Sequence, residues 1–252
     1  MREAYQRFFE KRQTLEPDIG CAPYGSFQLP DGLPCEWLPY SQMLNEHARE
    51  LANSLNEMRQ YIVNLKSWSE ILDDIEIGEE KHQIIFEFVS PIATLAINLP
   101  YVIRSRFFYS IAHLCHQANR LKQSPWCDDL PVDTEIYQKQ ADDYGVPWKK
   151  YNKLKCALEK VCNKKYQADT LDFRNKYNHR YSPRIEIGIT NLVTRNVDED
   201  KKVSYGFGGI EPLKLKDILP LLIEQHLMCM RAFALYQELV NEHISVISKD
   251  SH

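Results

Sequence analysis

The sequence lacks several features that define common classes of protein. Its seven cysteines are scattered and never form a CxxC pair, so a disulfide framework is not expected and a reducing cytoplasm is the predicted location. The N-terminal segment MREAYQRFFEKRQ contains no apolar run of the length that a signal peptide needs. These absences argue against an exported, disulfide-stabilised protein.

An uninterrupted hydrophobic run is also missing. The most apolar segment, residues 84–103, has the length of a membrane span but contains Glu87, Pro91, Asn98 and Pro100. We therefore expect a buried central helix in this segment rather than a membrane helix. No membrane is expected among the binding partners.

Common nucleotide-binding, hydrolase and metal motifs do not account for a function. The segment GFGG at residues 206–209 lacks the lysine and the spacing of a phosphate-binding loop, and no serine lies in a nucleophile-elbow pattern. A zinc site formed by His113, Cys115, His116 and Cys127 is disfavoured, because Cys115 would leave the helix in another direction. No metal or other cofactor is predicted.

The composition is that of a globular protein, with 44% apolar residues, 26% charged residues and a formal net charge of −4. Residues 16–40 hold five of the 13 prolines and three of the nine glycines, which predicts an extended arm after an N-terminal helix. We assign residues 1–40 to this helix and arm, and residues 41–252 to one helical-bundle domain.

The apolar pattern of the remaining chain predicts long helices. Apolar residues recur at spacings of three and four in the first predicted helix, at residues 41–78. Three more helices are predicted, at 81–122, which is apolar almost all round at first, from about 148 to 162, and from 218 to about 247. Ser41 is the predicted N-cap of the first segment. Two short alternating segments, 185–190 and 203–207, predict a β-hairpin. The predicted fold class is an all-α bundle of four or more long helices with a small β-hairpin inserted near residues 185–207.

Positive charge is concentrated in one segment. Residues 149–184 hold eleven lysines or arginines and three acids, so this basic tract carries +8 while the rest of the chain carries −12. A lysine-rich surface alone is also typical of a solvated helix face. The tract therefore indicates an anionic partner only in combination with a more specific pattern.

The basic tract contains Arg174 and His179, separated by four residues in the hexapeptide RNKYNH, with the polar amide Asn175 directly after the arginine. This hexapeptide resembles the Rx4-6H signature of the HEPN superfamily. HEPN proteins are small helical bundles of prokaryotic toxin and defence systems and of some eukaryotic ribonucleases. The resemblance implies a HEPN-like helical bundle.

A second segment has the same kind of spacing, from Arg106 to His113. It has Phe107 in the second position and lies in the apolar central helix, so we interpret His113 as a core or near-core histidine.

The resemblance implies a metal-independent endoribonuclease, in which the 2′-hydroxyl of RNA attacks the adjacent phosphorus and leaves a 2′,3′-cyclic phosphate. His179 is the predicted proton-transfer residue, since imidazole titrates near neutrality. Arg174 is predicted to bind the non-bridging oxygens of the transition state, and Asn175 to orient the imidazole or a phosphate oxygen. Further RNA contacts are predicted for Lys165, Lys176, Tyr177, Asn178, Arg180 and Arg184.

The resemblance also implies partners. HEPN ribonucleases bring two motifs together across a symmetric interface, so a homodimer is expected, with single-stranded or loop RNA as the substrate and an antitoxin or other protein as a further partner. Two other functions stay open: a HEPN-like module that binds a nucleotide, RNA or protein without catalysis, and a helical scaffold that uses its proline-rich arm and hairpin. Arg174 and His179 could also be a structural pair that bonds Asp169 or Asp172 and caps the helix end.

Overall fold

The computed structural model describes residues 2–15, 19–25 and 27–250, and this part of the chain is mostly helical. The helices are α1 (Arg2–Thr14), α2 (Leu38–Asp73), α3 (Glu79–Ile84), α4 (Ser90–Ala118), α5 (Gln138–Gly145), α6 (Tyr151–Leu158), α7 (Lys164–Asp169), α8 (Phe173–His179) and α9 (Leu215–Asp250). The strands β1 (Val193–Val197) and β2 (Val203–Phe207) form an antiparallel hairpin. The predicted all-α bundle with a small hairpin is confirmed.

The start of α2 differs from the prediction. A short 3₁₀ turn at Cys35–Trp37 leads directly into Leu38, so Ser41 lies inside the helix and its predicted role as N-cap is wrong. Trp37 and Tyr40 are buried. Packing of these two aromatic side chains explains why α2 begins before Ser41.

The central apolar segment is helical from α3 to α4 through a π-helical turn at Ile85–Val89, and it continues past Pro100. It is not buried on every side, because Phe86 is 79% exposed and Leu95 is 53% exposed. By length and composition, the helical segments at 79–121 and 215–249 would each suffice to cross a membrane; 44% of the most apolar part of each is buried. The core helix of a soluble protein has the same properties.

The hairpin uses a different first strand from the one predicted. Residues 193–197 pair with 203–207, whereas Ile185 and Thr190 make only single bridges, to Leu213 and Ile210. The φ angles of Glu186 and Gly188 are +63° and +94°, which interrupts an extended strand between these bridges.

Glu186 also explains the early start of α9. Its carboxylate accepts a hydrogen bond from the backbone N–H of Leu215. This contact fixes the first turn of α9 three residues before the predicted start.

The chain divides into two compact units. Unit 1 comprises Met1–Asp18, Gln60–Asn98 and Cys162–Glu224, and unit 2 comprises Ile19–Arg59, Leu99–Val161 and Gln225–His252. The helices α2, α4 and α9 each contribute residues to both units. The domain division at residue 40 stays a prediction.

An aromatic stack organises part of unit 1. The ring of Trp68 stacks against Phe8 at 4.5 Å and against Phe88 at 5.2 Å, with interplanar angles of 9° and 15°. Trp68 is only 1% exposed. The stack therefore joins α1, α2 and the π-helical turn before α4.

A buried histidine lies in the core of unit 2. The Nδ1 atom of His243 lies 3.0 Å from the hydroxyl of Tyr40, and the ring of Trp148 lies 4.1 Å away between centroids. The thiol of Cys115 lies 3.7 Å from Nε2. Burial lowers the pKa of His243 to about 3 and raises the pKa of Cys115 well above its usual value. Both groups are therefore neutral at pH 7.

Truncating the stacked tryptophan should strongly destabilise the protein. We expect Trp68→Ala to lower the free energy of unfolding by about 3–5 kcal/mol, because it removes a buried ring between two others. Urea denaturation measures the effect. Ile77→Ala, at a side chain that is 82% exposed, is the control and should change stability by less than about 0.5 kcal/mol. Equal effects of the two substitutions would contradict the role of the stack.

The buried imidazole should make stability depend on pH. The unfolded chain binds a proton at the ordinary histidine pKa of 6.5, whereas folded His243 does so only near 3, so protons favour unfolding between these values. The contribution is complete above pH 6.5 and is lost as the pH falls. We expect His243 to account for about 2 kcal/mol of the stability lost between pH 7 and pH 5.

The measurement compares denaturation at both pH values for the wild type and for His243→Gln. The variant should lose less stability on acidification, while His82→Gln, at an exposed position on α3, should behave as the wild type does. An unchanged pH dependence in folded His243→Gln would refute the assignment.

Candidate functional site

The predicted site lies on α8, whose start is fixed by a tight connection from α7. Leu171 and Asp172 both have φ near +54°, in the left-handed region. The carboxylate of Asp172 accepts hydrogen bonds from Gln167 Nε2 at 2.7 Å and from Asn175 Nδ2 at 2.9 Å. These bonds lower the pKa of Asp172. The carboxylate of Asp172 thus holds the side chain of Asn175 at the first turn of α8.

One side of α8 packs and the other faces solvent. Phe173 is buried and stacks on the ring of Tyr177, with 5.9 Å between centroids. Lys176 is half-buried. The other predicted site residues are exposed, namely Lys165, Arg174, Asn175, Tyr177, Asn178, His179, Arg180 and Arg184.

The predicted catalytic pair does not share a face of α8. Arg174 and His179 both lie within the helix, and five residues correspond to about 500° of rotation and a rise of about 7.5 Å. The backbone N–H of Arg180 still donates to Lys176 at 2.7 Å, so the helix is regular up to His179. The two side chains therefore leave the helix about 140° apart.

The structural alternative for His179 receives no support from its contacts. Its ring makes no hydrogen bond to any of the residues described, so it does not cap backbone carbonyls.

The second arginine–histidine pair has the opposite geometry. Arg106 and His113 lie seven residues apart on α4, which corresponds to about 700° of rotation, or two turns less about 20°. They therefore lie along one helix face. Arg106 also lines a cavity of about 360 Å³, the α2–α4 cavity, whose other lining residues are Met43, Glu46, His47, Glu50, Leu51, Tyr109 and Ser110.

Two imidazoles lie close to one another at this cavity. The ring of His47 lies 5.9 Å from that of His113 and 5.5 Å from that of Tyr109. Burial, assisted by the neighbouring His113, lowers the pKa of His47 to about 4. Burial also lowers the pKa of His113. Both rings are therefore neutral at pH 7.

Asp133 joins the same cluster. It accepts a hydrogen bond from the hydroxyl of Tyr109 at 3.0 Å, and its other oxygen lies 3.4 Å from His113 Nε2. The side chain of His113 is 13% exposed, which agrees with its interpretation as a near-core histidine.

Sequence reasoning overlooked the cavity beside His113. The signal was available in the polar residues Arg106, Tyr109, Ser110 and His113, whose spacing of three, four and seven marks one helix face.

Two of the residues considered for zinc, Cys115 and His116, contact other side chains. His116 Nε2 lies 2.9 Å from the carboxylate of Asp128, and Cys115 contacts His243. Within residues 2–15, 19–25 and 27–250, no group of three His, Cys, Asp or Glu side chains is placed to hold a metal ion.

Comparison with known proteins gives no assignment: no protein-family model, no curated protein and no solved structure matches the chain significantly. The HEPN resemblance therefore rests on the RNKYNH segment and on the helical fold.

Proposed function

We propose that the chain is a metal-independent endoribonuclease of the HEPN type, which cleaves single-stranded or loop RNA and leaves a 2′,3′-cyclic phosphate and a 5′-hydroxyl. The proposal includes a role as a toxin or defence effector in the cytoplasm, with an antitoxin or another protein as a regulator. The proposal rests on the solvent exposure of the side chains of the RNKYNH segment on α8.

The observation that carries this proposal is the exposure of the whole predicted site. Arg174 and His179 face solvent on a short helix that is anchored by Phe173 and by the Asp172 hydrogen bonds. Lys165, Arg180 and Arg184 are also exposed and lie near them in the sequence. A polyanion can therefore reach the imidazole and the guanidinium together with flanking positive charges.

The chemistry follows from the two side chains. His179 takes the proton of the attacking 2′-hydroxyl, or gives one to the leaving 5′-oxygen. Arg174 binds the non-bridging oxygens, on which negative charge accumulates in the transition state. No external nucleophile is needed for this transphosphorylation, because the attacking 2′-hydroxyl belongs to the RNA. The proton transfer that His179 does not make is made with water.

The 140° between the two side chains favours a second copy of the chain in the proposed site. On a regular α8 the side chains of Arg174 and His179 in one copy leave the helix in diverging directions. A symmetric dimer that apposes two α8 helices supplies Arg174 from one subunit and His179 from the other. The proposed homodimer thus forms two composite sites.

The same angle favours one alternative, a HEPN-like module that binds a nucleotide, RNA or a protein without cutting. Such a module needs the exposed basic surface but no convergence of Arg174 with His179. Cleavage assays separate these two functions.

Removing either member of the pair should abolish cleavage. We expect Arg174→Ala and His179→Ala each to reduce the rate about 10²–10⁴-fold in the presence of a chelator, since each removes a transition-state interaction. Gel analysis of end-labelled RNAs of varied sequence and structure measures the rate and identifies the cyclic phosphate.

Arg195→Ala and His82→Ala are the matched controls, because both positions are exposed and lie outside α8. They should leave the rate within about twofold of the wild type. If the wild type cuts none of the RNAs, or if both α8 variants cut as well as the controls do, the chain is not this ribonuclease.

Mixing the two inactive variants should restore activity. A heterodimer of Arg174→Ala and His179→Ala subunits has one composite site with both side chains intact, so random mixing should recover about a quarter of the wild-type rate. Each variant alone should stay inactive at the same total concentration. A mixture as inactive as its components, although the wild type is active, would show that the pair acts within one subunit.

A further inference from the structure

The α2–α4 cavity has no role in the proposed ribonuclease. Its lining residues belong to α2 and α4, and its volume of about 360 Å³ lies within the range of small-molecule sites, about 300–1,000 Å³. Charged side chains of both signs line it. The hydrogen bonds of these charged side chains indicate which ligand the cavity can bind.

The positive side of the cavity is Arg106. Its guanidinium donates a hydrogen bond to the hydroxyl of Ser54, which itself donates to the backbone oxygen of Glu50 at 2.6 Å. No carboxylate of the described residues lies within 4.0 Å of the Arg106 nitrogens. Ser54 thus tethers the guanidinium and leaves its other N–H donors for a ligand, and their planar arrangement matches a carboxylate.

The negative side consists of Glu46 and Glu50, which lie one helical turn apart on α2 and are both exposed. Like charges at this spacing repel each other and destabilise a helix. Glu50 accepts a hydrogen bond from the Asn53 amide at 3.2 Å, and neither glutamate has a cation within 4.0 Å in the part of the chain that the structure describes. An ammonium group between them would remove the repulsion.

Neutral groups complete the lining. Met43 and Leu51 are apolar, and His47 is uncharged at pH 7. The hydroxyl of Tyr109 is already bonded to Asp133. An apolar substituent of a ligand can pack on Met43 and Leu51.

We propose that the α2–α4 cavity binds a small zwitterion with an apolar side chain, the chemistry of a free α-amino acid. Its carboxylate pairs with Arg106 and its ammonium group pairs with Glu46 and Glu50. A simple anion is disfavoured because it meets two uncompensated carboxylates, and a simple cation leaves Arg106 unpaired beside it. This site is independent of RNA cleavage at α8.

Isothermal titration calorimetry of the full chain tests the ligand class. The ligands are leucine, phenylalanine and two analogues of leucine that each lack one charge, 4-methylpentanoate and 3-methylbutylamine. Leucine or phenylalanine should bind, and each analogue should bind at least about tenfold more weakly than leucine. The proposal is overturned if neither amino acid binds at about 10 mM, or if an analogue binds as tightly as leucine.

Variants test the assignment of the charges. Arg106→Gln, and Glu46→Gln combined with Glu50→Gln, should each weaken binding at least about tenfold. Arg49→Gln is the control, since Arg49 is exposed on α2 but does not line the cavity, and it should leave affinity within about twofold. Circular dichroism and thermal unfolding identify the folded variants. Wild-type affinity in folded Arg106→Gln would also overturn the proposal.

Discussion

The rotation of about 100° per residue in an α-helix decides what each arginine–histidine pair can do. On α8 the five-residue separation directs Arg174 and His179 apart, which is why the proposed ribonuclease is a dimer. On α4 the seven-residue separation aligns Arg106 with His113 along one face. Both segments match the Rx4-6H spacing, but the two pairs place their side chains differently on the helix surface.

Much of the fold follows from local patterns that the sequence displays directly. The apolar spacing from Leu44 onward predicted α2, and the spacing around Tyr151 predicted α6. The start of α9, by contrast, depends on a residue that is distant in the sequence. The carboxylate of Glu186 accepts a hydrogen bond from the backbone N–H of Leu215, the first residue of α9, which lies 29 residues further along the chain. No sequence pattern near Leu215 predicts this contact.

The hairpin shows how a local pattern can mislead. Residues 185–190 alternate apolar and polar side chains, as a strand does, but positive φ angles at Glu186 and Gly188 break the extension. Residues 193–197 form the strand instead, since the polar segment 198–202 can turn directly back into β2. In that turn the carboxylate of Asp198 accepts from the backbone N–H of Lys202 at 2.7 Å. Alternating apolar and polar residues indicate an extended segment, but the turn determines which segment pairs with β2.

The two proposed sites differ in how far their residues could be predicted from the sequence. The α8 residues lie within one short segment, so their charge and motif are visible in the sequence. The α2–α4 cavity joins Glu46 to Arg106 across sixty residues, and Asp133 joins the cluster from a third segment. Amphipathic spacing can show that Arg106 and His113 share a face, but tertiary packing determines which residues lie opposite them.

Histidine illustrates why residue type alone does not define a site. His243 is enclosed by Tyr40 and Trp148, so its neutral ring serves the core. His47 is equally neutral at pH 7 but borders a cavity, where its ring can contact a ligand. His179 is open to solvent and lies among cations, the setting that a polyanionic substrate requires. Chemistry at a histidine needs access as well as a suitable pKa, and burial, which lowers the pKa of an imidazole, also removes access. The edge of the α2–α4 cavity and the exposed surface of α8 both keep that access.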